Sequence, residues 1–335
     1  MGGVWWMLRS VAGRWLVMLF CGSYWSSAEL YGRLCYWIST DFYLITVNGV
    51  MGMQLARSTI LTVLLCLPIA VTATTKEEIQ KIERQRNLTV GIALVDDGGT
   101  LLFGHRETQR FAMCSTFKLP LAAATLKQIE SGKWSAAERL SYSAGQLDAY
   151  APAAKRYLPT GYITVAEANQ ASVQLSDNTA ANLLLDKLGG PSQLTSMFRS
   201  LGDSVSRLDR REPDLNTNVS GDPRDTTTPG AMARIVAKLV YGNYLSTAGR
   251  EQLQRLLIGN NTGDSTIRAG IASGWTTGDK TGSCDNGGRN DAAFLVSPDG
   301  RRFALTVYLN APSLDDKARN EVVATVARLA VESIR

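Results

Sequence analysis

Strand-forming sequence lies at both ends of the readable part of this chain, and helix-forming sequence fills the middle. Residues 88–95 (LTVGIALV) and 100–104 are short apolar and β-branched runs joined by the turn Asp96-Asp97-Gly98-Gly99. Three more such runs, about 275–283, 291–296 and 303–309, come near the C-terminus, the last two separated by Pro298-Asp299-Gly300. Between them, residues 115–131, 164–175, 179–188, 192–201, 229–239 and 247–257 carry helical spacing, as do 76–87 before and 314–334 after. Strands drawn from both ends can pair only if the middle is looped out. The expected fold is therefore α/β (α+β): an antiparallel five-stranded sheet flanked by helices, with an all-helical domain inserted at about 115–260.

The first 73 residues do not share this pattern. Trp5, Trp6, Trp15, Trp25 and Trp37 crowd into the first forty positions without a charged helix face. From Met53 the layout is that of a secretory signal: Arg57, an apolar run at 59–70, the small-residue site Val71-Thr72-Ala73, then charged helical sequence from Lys76. The uncharged stretch 58–75 is about long enough to span a membrane, but Pro68 and several threonines suit an anchor poorly. Leu65 before Cys66 lacks the small residue that lipidation needs. The organisation expected is an over-extended start or leader at 1–52, a signal peptide at 53–73 and the folded domain at 74–335, with no stable membrane anchor after cleavage.

Formal charge is +5 at pH 7, with Lys and Arg scattered, so nucleic acid is not an expected partner. Three of five cysteines fall in the leader, leaving Cys114 and Cys284. Two thiols in an exported chain favour one disulfide, with two separate buried thiols as the alternative. Closing a loop of that length would contribute about 5 kcal/mol in a chain-entropy account. The single histidine, His105, falls at a strand end and reads as structural or exposed; without others, neither a histidine-rich metal site nor a Ser-His-Asp triad can be built away from it. No metal or cofactor is expected. Trp134 and Trp275 read as packing residues.

Four polar clusters stand out: Ser115-Thr116-Phe117-Lys118, Ser176-Asp177-Asn178, Glu212-Pro213-Asp214-Leu215-Asn216 and Lys280-Thr281-Gly282. On a helix, Ser115 and Lys118 share a face, so the amine can serve the hydroxyl as a base. Alone this spacing is weak, since about one S-x-x-K arises by composition, with a capping serine and a solvated lysine as the bland account. The other two triplets are each expected on the order of 0.1 times per chain. Gly282 on a strand would admit a ligand close to the backbone, and Asp177 between two helices could simply cap one. Residues 210–228 form a long polar loop whose ends Arg210 and Asp225 could pin, an exposed pair contributing little.

Together and in this order, the clusters resemble the active-site serine β-lactamases of class A. The likeness spans 76–335, and RFAMCSTFKLPLAA, SVQLSDNTAANLLL, DSVSRLDRREPDLN and DKTGSCDNGGRND look most like the cysteine-bridged, carbapenemase-containing branch, GES-type enzymes above all. The resemblance implies a periplasmic, monomeric catalytic domain that hydrolyses penicillins and cephalosporins, confers resistance, and has carbapenems as candidate substrates. It implies Ser115 as nucleophile, with an oxyanion hole of Ser115 and Ser283 N–H groups. Lys118 takes part in removing the serine proton, and Ser176, supported by Lys280, passes a proton to the departing nitrogen. Glu212, with Asn216, holds the deacylating water. Asn178 contacts the substrate's side-chain amide, Thr281, Ser283 and Arg289 hold its carboxylate, and Tyr150 walls the cleft. Whether Lys118 or Glu212 is the acylation base stays open. A cis Glu212-Pro213 bond is also implied, and Thr160-Gly161-Tyr162-Ile163-Thr164 is one residue longer than in many relatives. A penicillin-binding transpeptidase and an antibiotic-sensing receptor domain are the rival classes; Glu212 favours hydrolysis over both.

Overall fold

The computed structural model describes the backbone of residues 6–9, 15–18 and 63–334, with side chains from residue 74 onward. The chain divides into two units, Met1–Ile69 and Ala70–Arg335. In the first, Trp6–Arg9 and Trp15–Met18 pair antiparallel. The start site and most of the expected leader lie outside the described residues. Helix α1 (Val63–Arg86) begins well before the expected position 76 and runs through Val71-Thr72-Ala73. Among the described residues, no helix is long and apolar enough to cross a membrane.

The second unit is built on five antiparallel strands. They are β1 (Thr89–Asp96), β2 (Leu101–His105), β3 (Thr276–Cys284), β4 (Gly288–Val296) and β5 (Arg302–Asn310), in the order β2-β1-β5-β4-β3. Strands from the two ends of the unit meet at β1 and β5, where Ile92 lies opposite Val307. Because side chains alternate, each strand feeds two cores. Ile92, Leu94, Ala293 and Leu295 join Ile79 of α1 and Val323 and Val326 of the closing helix α8 (Asp316–Glu332). Ala93, Val95, Ala292 and Phe294 face the helical domain. Both faces are covered, which is why the central strands read as continuous apolar runs.

The helical domain comprises α2 (Lys118–Glu130), α3 (Val165–Gln174), α4 (Asn178–Leu188), α5 (Pro191–Ser200), α6 (Pro229–Val240) and α7 (Thr247–Ile258). Every residue of α2 from Lys118 to Leu126 is buried, so this helix is the axis around which the others pack. Side-chain caps start the surrounding helices: Thr164 with Glu167 for α3, Asp177 for α4, Thr228 for α6 and Ser246 for α7. Each such cap contributes about 1 kcal/mol.

Three differences from the sequence reading bear on function. Residues 115–131 are not one helix: a 3-10 turn, Cys114–Phe117, precedes α2, and Cys114 has φ 48°. The Arg210–Asp225 pair is not exposed, since Asp225 is buried and its carboxylate accepts from the Asp209 and Arg210 N–H groups and from Arg210 Nε at 2.5 Å. Short ribbons, Phe111–Ala112 with Thr226–Thr227 and Arg139–Ser141 with Tyr162–Thr164, were too brief to leave a periodic signal.

His105 is buried, as a structural residue should be, with Nε2 3.1 Å from Glu83 Oε2. Glu83 on α1 also accepts from Val90 N–H and from the Arg106 guanidinium. Burial pushes its carboxyl up, but Arg106, Val90 and His105 outweigh that and hold it below 4.5. A carboxylate depressed on folding stabilises above its unfolded value and loses that contribution as pH falls. We expect Glu83→Gln to lower stability at pH 7 by about 1–3 kcal/mol. It should also flatten the acid limb below pH 4.5. Urea unfolding at pH 7 and at about pH 3.5 checks both; equal losses at the two values would remove the assignment.

Candidate active site

The 3-10 turn puts Ser115 where α2 begins, with its hydroxyl in a polar core between the two domains. Lys118 Nζ donates to Ser115 Oγ at 2.9 Å, and Ser115 Oγ donates to Glu212 Oε1 at 3.1 Å. The same amine lies 2.9 Å from Glu212 Oε1, with both side chains fully buried. It also donates to Ser176 O at 2.9 Å and Asn178 Oδ1 at 2.6 Å, with Ser176 Oγ at 3.5 Å. An ammonium has three donors, so five acceptors in reach leave it saturated whichever it uses.

The Ser-Asp-Asn cluster serves two ends at once. Ser176, at φ 54°, and Asn178 turn toward Lys118. Asp177 points away: it caps α4 through Ala180 N–H and accepts from Ala153 and Ala154 N–H groups at 2.8 and 2.9 Å. The capping account of this triplet thus holds at Asp177, while Ser176 and Asn178 lie beside Lys118. Asn178 also donates to Asp148 Oδ1 at 2.9 Å, and its N–H donates to Tyr150 O at 3.0 Å. Tyr150 itself is 54% exposed.

Glu212 is placed from both sides. Its peptide group is bracketed by Asn182, whose amide donates to Glu212 O at 2.9 Å and accepts from Glu212 N–H at 3.1 Å. Asn216 Nδ2 donates to Glu212 Oε2 at 2.5 Å, and the Glu212-Pro213 bond is cis.

Strand β3 closes the other wall. A Cβ at Gly282 would lie 3.0 Å from Met113 O and 3.2 Å from Ser115 N, so only glycine lets the strand approach the turn this closely. Cys114 and Cys284 are disulfide-bonded, Cα to Cα 5.7 Å. Asn290 on β4 adds a polar clamp, donating to Ala112 O at 2.9 Å and accepting from Leu309 N–H at 3.3 Å. Lys280 is fully buried and donates to Thr281 O at 2.8 Å. Burial first, and the charge of Lys118 second, push its amine down to about 7. Thr281 Oγ1 meets Thr262 Oγ1 at 2.5 Å. Arg289 donates to Ser283 Oγ and Asn320 Oδ1, each at 2.7 Å.

Ser115, Lys118, Ser176, Asn178, Glu212 and Asn216 are therefore brought into one hydrogen-bonded group. Lys280, Thr281, Ser283 and Arg289 line the adjoining strand pair. Asn182, Asp148, Thr262, Asn290 and Asn320 carry no motif in the sequence: Asn182, Asn290 and Asn320 are lone polar residues on helices or strands, and Asp148 and Thr262 are lone polar residues in loops. No group of His, Cys, Asp and Glu able to hold a metal ion occurs among the described residues.

A buried serine–lysine–glutamate group between an α/β sheet and a helical domain defines a serine hydrolase of cyclic amides, and the comparisons agree. Residues 74–334 match the family described as Beta-lactamase enzyme family. Beta-lactamase OXY-2 of Klebsiella oxytoca is 42% identical over 77% of this chain and 89% of its own length. Beta-lactamase Toho-1 of Escherichia coli is 39% identical over 83% and 98%. Among solved structures, the last common ancestor of Gram-negative bacteria class A β-lactamase (GNCA4) superposes with a TM-score of 0.76 at 45% identity, covering 78% of this chain and all of that one. The chain belongs to the class A β-lactamases, enzymes of antibiotic resistance.

Proposed function

We propose that this enzyme opens β-lactams through an ester on Ser115, which water guided by Glu212 then hydrolyses. One observation carries this: the Ser115 hydroxyl lies within hydrogen-bond reach of both the Lys118 amine and the Glu212 carboxylate. Ser115 Oγ attacks the lactam carbonyl, its proton leaving toward the Lys118–Glu212 pair. Developing negative charge on the carbonyl oxygen meets the N–H groups of Ser115 and Ser283, a pairing supported by the approach of β3 at Gly282. The C–N bond breaks, and Ser176 gives its proton to the nitrogen, with Lys280 lending positive field. The proton taken from Ser115 passes from Lys118 to Ser176, restoring that hydroxyl. Glu212, steered by Asn216, then takes a proton from water as that water attacks the ester, the Ser115–acyl bond breaks, and Glu212 returns the proton to the Ser115 oxygen. Thr281, Ser283 and Arg289 take the substrate's carboxylate, Asn178 its side-chain amide, and Tyr150 borders the cleft.

A transpeptidase reading is weaker because its acyl-enzyme needs no buried carboxylate beside the nucleophile. Glu212→Ala should slow release of the ester by roughly 10²–10⁴-fold. Intact mass spectra after mixing with ampicillin should then show the Ser115 adduct, absent in Ser115→Ala; free Glu212→Ala enzyme at every time point would reject the role.

Carbapenem turnover is a narrower proposal. The relatives reported above are OXY-2 and Toho-1. What supports carbapenem turnover is the Cys114–Cys284 bridge beside Ser115 and Asn216 at the Glu212 carboxylate, whereas the likeness to GES-type enzymes rests on the four sequence segments alone. Absorbance loss with imipenem should continue past many equivalents of enzyme; a single-equivalent burst that then stops would dismiss it.

The domain is further proposed to act as a periplasmic monomer cut near Ala73. N-terminal sequencing and light scattering of the periplasmic fraction check this, and a start upstream of 53 or a dimer mass would contradict it.

A further inference from the structure

Thr281, Ser283 and Arg289 share one face of the β3–β4 pair, where Ser283 lies opposite Arg289 and Thr281 lies opposite Asp291. Asp291 is two residues from Arg289, so its side chain stands about 7 Å further along that face. It is fully buried. Its Oδ2 accepts from Thr266 Oγ1 at 2.6 Å and from Ile267 N–H at 3.0 Å, while Oδ1 has no hydrogen-bond partner. The guanidinium of Arg268 is committed to the other buried carboxylate of this face, Asp279, which Asn260 also holds at 2.6 Å.

The charged and titratable groups that interact with Asp291 are Asp279 and Lys280 on β3, Arg289 on β4 and Tyr308 on β5. One step further out, Arg268 on the short helix Ile267–Gly270 pairs with Asp279, and Asp316 and Arg319 on α8 act on Arg289. A carboxylate buried with one oxygen unbonded and no cation of its own is favoured as the neutral acid. Burial first, and Asp279 next, push Asp291 up to about 8.

We propose that Asp291 is a specificity-determining positioning residue for anionic substrates. Neutral, it leaves the field of Arg289 and Lys280 open to a substrate carboxylate; ionised, it competes with that anion for the same cations. This rests on the reading of Thr281, Ser283 and Arg289 as the carboxylate side of the cleft. The sign follows from the raised value: the acid is neutral at low pH and ionises as pH rises past it, so KM for an anionic substrate climbs on the alkaline side. Lys280 loses its charge over an overlapping range and acts in the same direction. The two are separated by Asp291→Asn, which is neutral at every pH.

The test compares benzylpenicillin with its neutral methyl ester, following KM and kcat separately from about pH 6.5 to 9.5. For the wild type, KM for benzylpenicillin should rise about tenfold while that for the ester stays flat, the order expected for one buried charge switched near an anion. In Asp291→Asn the rise should shrink to about threefold or less. An undiminished tenfold rise in that variant overturns the proposal alone. If Arg289→Ala fails to raise KM for benzylpenicillin relative to the ester, the carboxylate-side reading falls and takes the proposal with it. Should Asp291→Asn not fold, carbon-13 NMR of labelled aspartates in the wild type decides. An Asp291 carboxyl neutral at about pH 6.5 and titrating above 7 supports it, and one already ionised at 6.5 overturns it.

Discussion

An ammonium group sealed inside a protein must be surrounded by acceptors, because the free energy lost on leaving water is several kcal/mol. Lys118 is such a group, and its acceptors come from three stretches of chain: its own turn, the Ser176-Asp177-Asn178 segment that starts α4, and the loop carrying Glu212. None of these stretches is apolar enough to be drawn there by burial alone. Meeting the lysine's demand is what gathers them, so assembling the site and completing the helical domain are one event. Removing a single partner leaves a buried charge short of contacts, a heavier loss than the deleted hydrogen bond suggests.

The sheet contributes through its edge. Strand β3 ends the order β2-β1-β5-β4-β3, so one side of its backbone is free of a strand partner. Edges usually invite unwanted pairing. Here the 3-10 turn packs over the face of β3 and β4 beside that edge, admitted by Gly282 and fixed by the Cys114–Cys284 bridge and Asn290. Alternation then divides the work. Lys280 and Gly282 face Lys118 and Ser115, whereas Thr281 and Ser283 share the other face with Arg289 and Asp291 across the strand pair. A one-residue slip in register would exchange these two sets, which is why the long apolar pairing of β4 with β5 matters to chemistry some distance away.

Much of this was legible in the sequence, for identifiable reasons. Strands such as 303–309 and helices such as 229–239 carry strong periodic signals and fell within a residue or two of β5 and α6. The nucleophile's neighbourhood was readable because rare triplets coincided in order. The 3-10 turn was not, since it depends on contacts with β3 and Asn290 that lie about 170 residues away. Nor was the burial of Asp225, which looked like half of a surface pair until its carboxylate was found capping two backbone N–H groups. Single polar residues with long-range partners, such as Asn182 on α4, carry no local pattern at all.

The loop that presents Glu212 shows how a buried carboxylate is held without a core of its own. Leu215 is buried, but the other ties are polar: Arg210 with Asp225, Asn182 with the Glu212 peptide, Asn218 with Asn310 and Asp285 O, and Asn286 with Thr217 O. The more exposed of these ties are individually modest because water competes for them, whereas the Asp225 carboxylate is buried. Their number makes the loop's position specific, while their weakness keeps local opening accessible. A loop welded by apolar packing would hold Glu212 as firmly but would resist the adjustments a bulky acyl group requires. Polar tethering therefore suits the proposed second step, in which water must reach an ester that already fills the cleft.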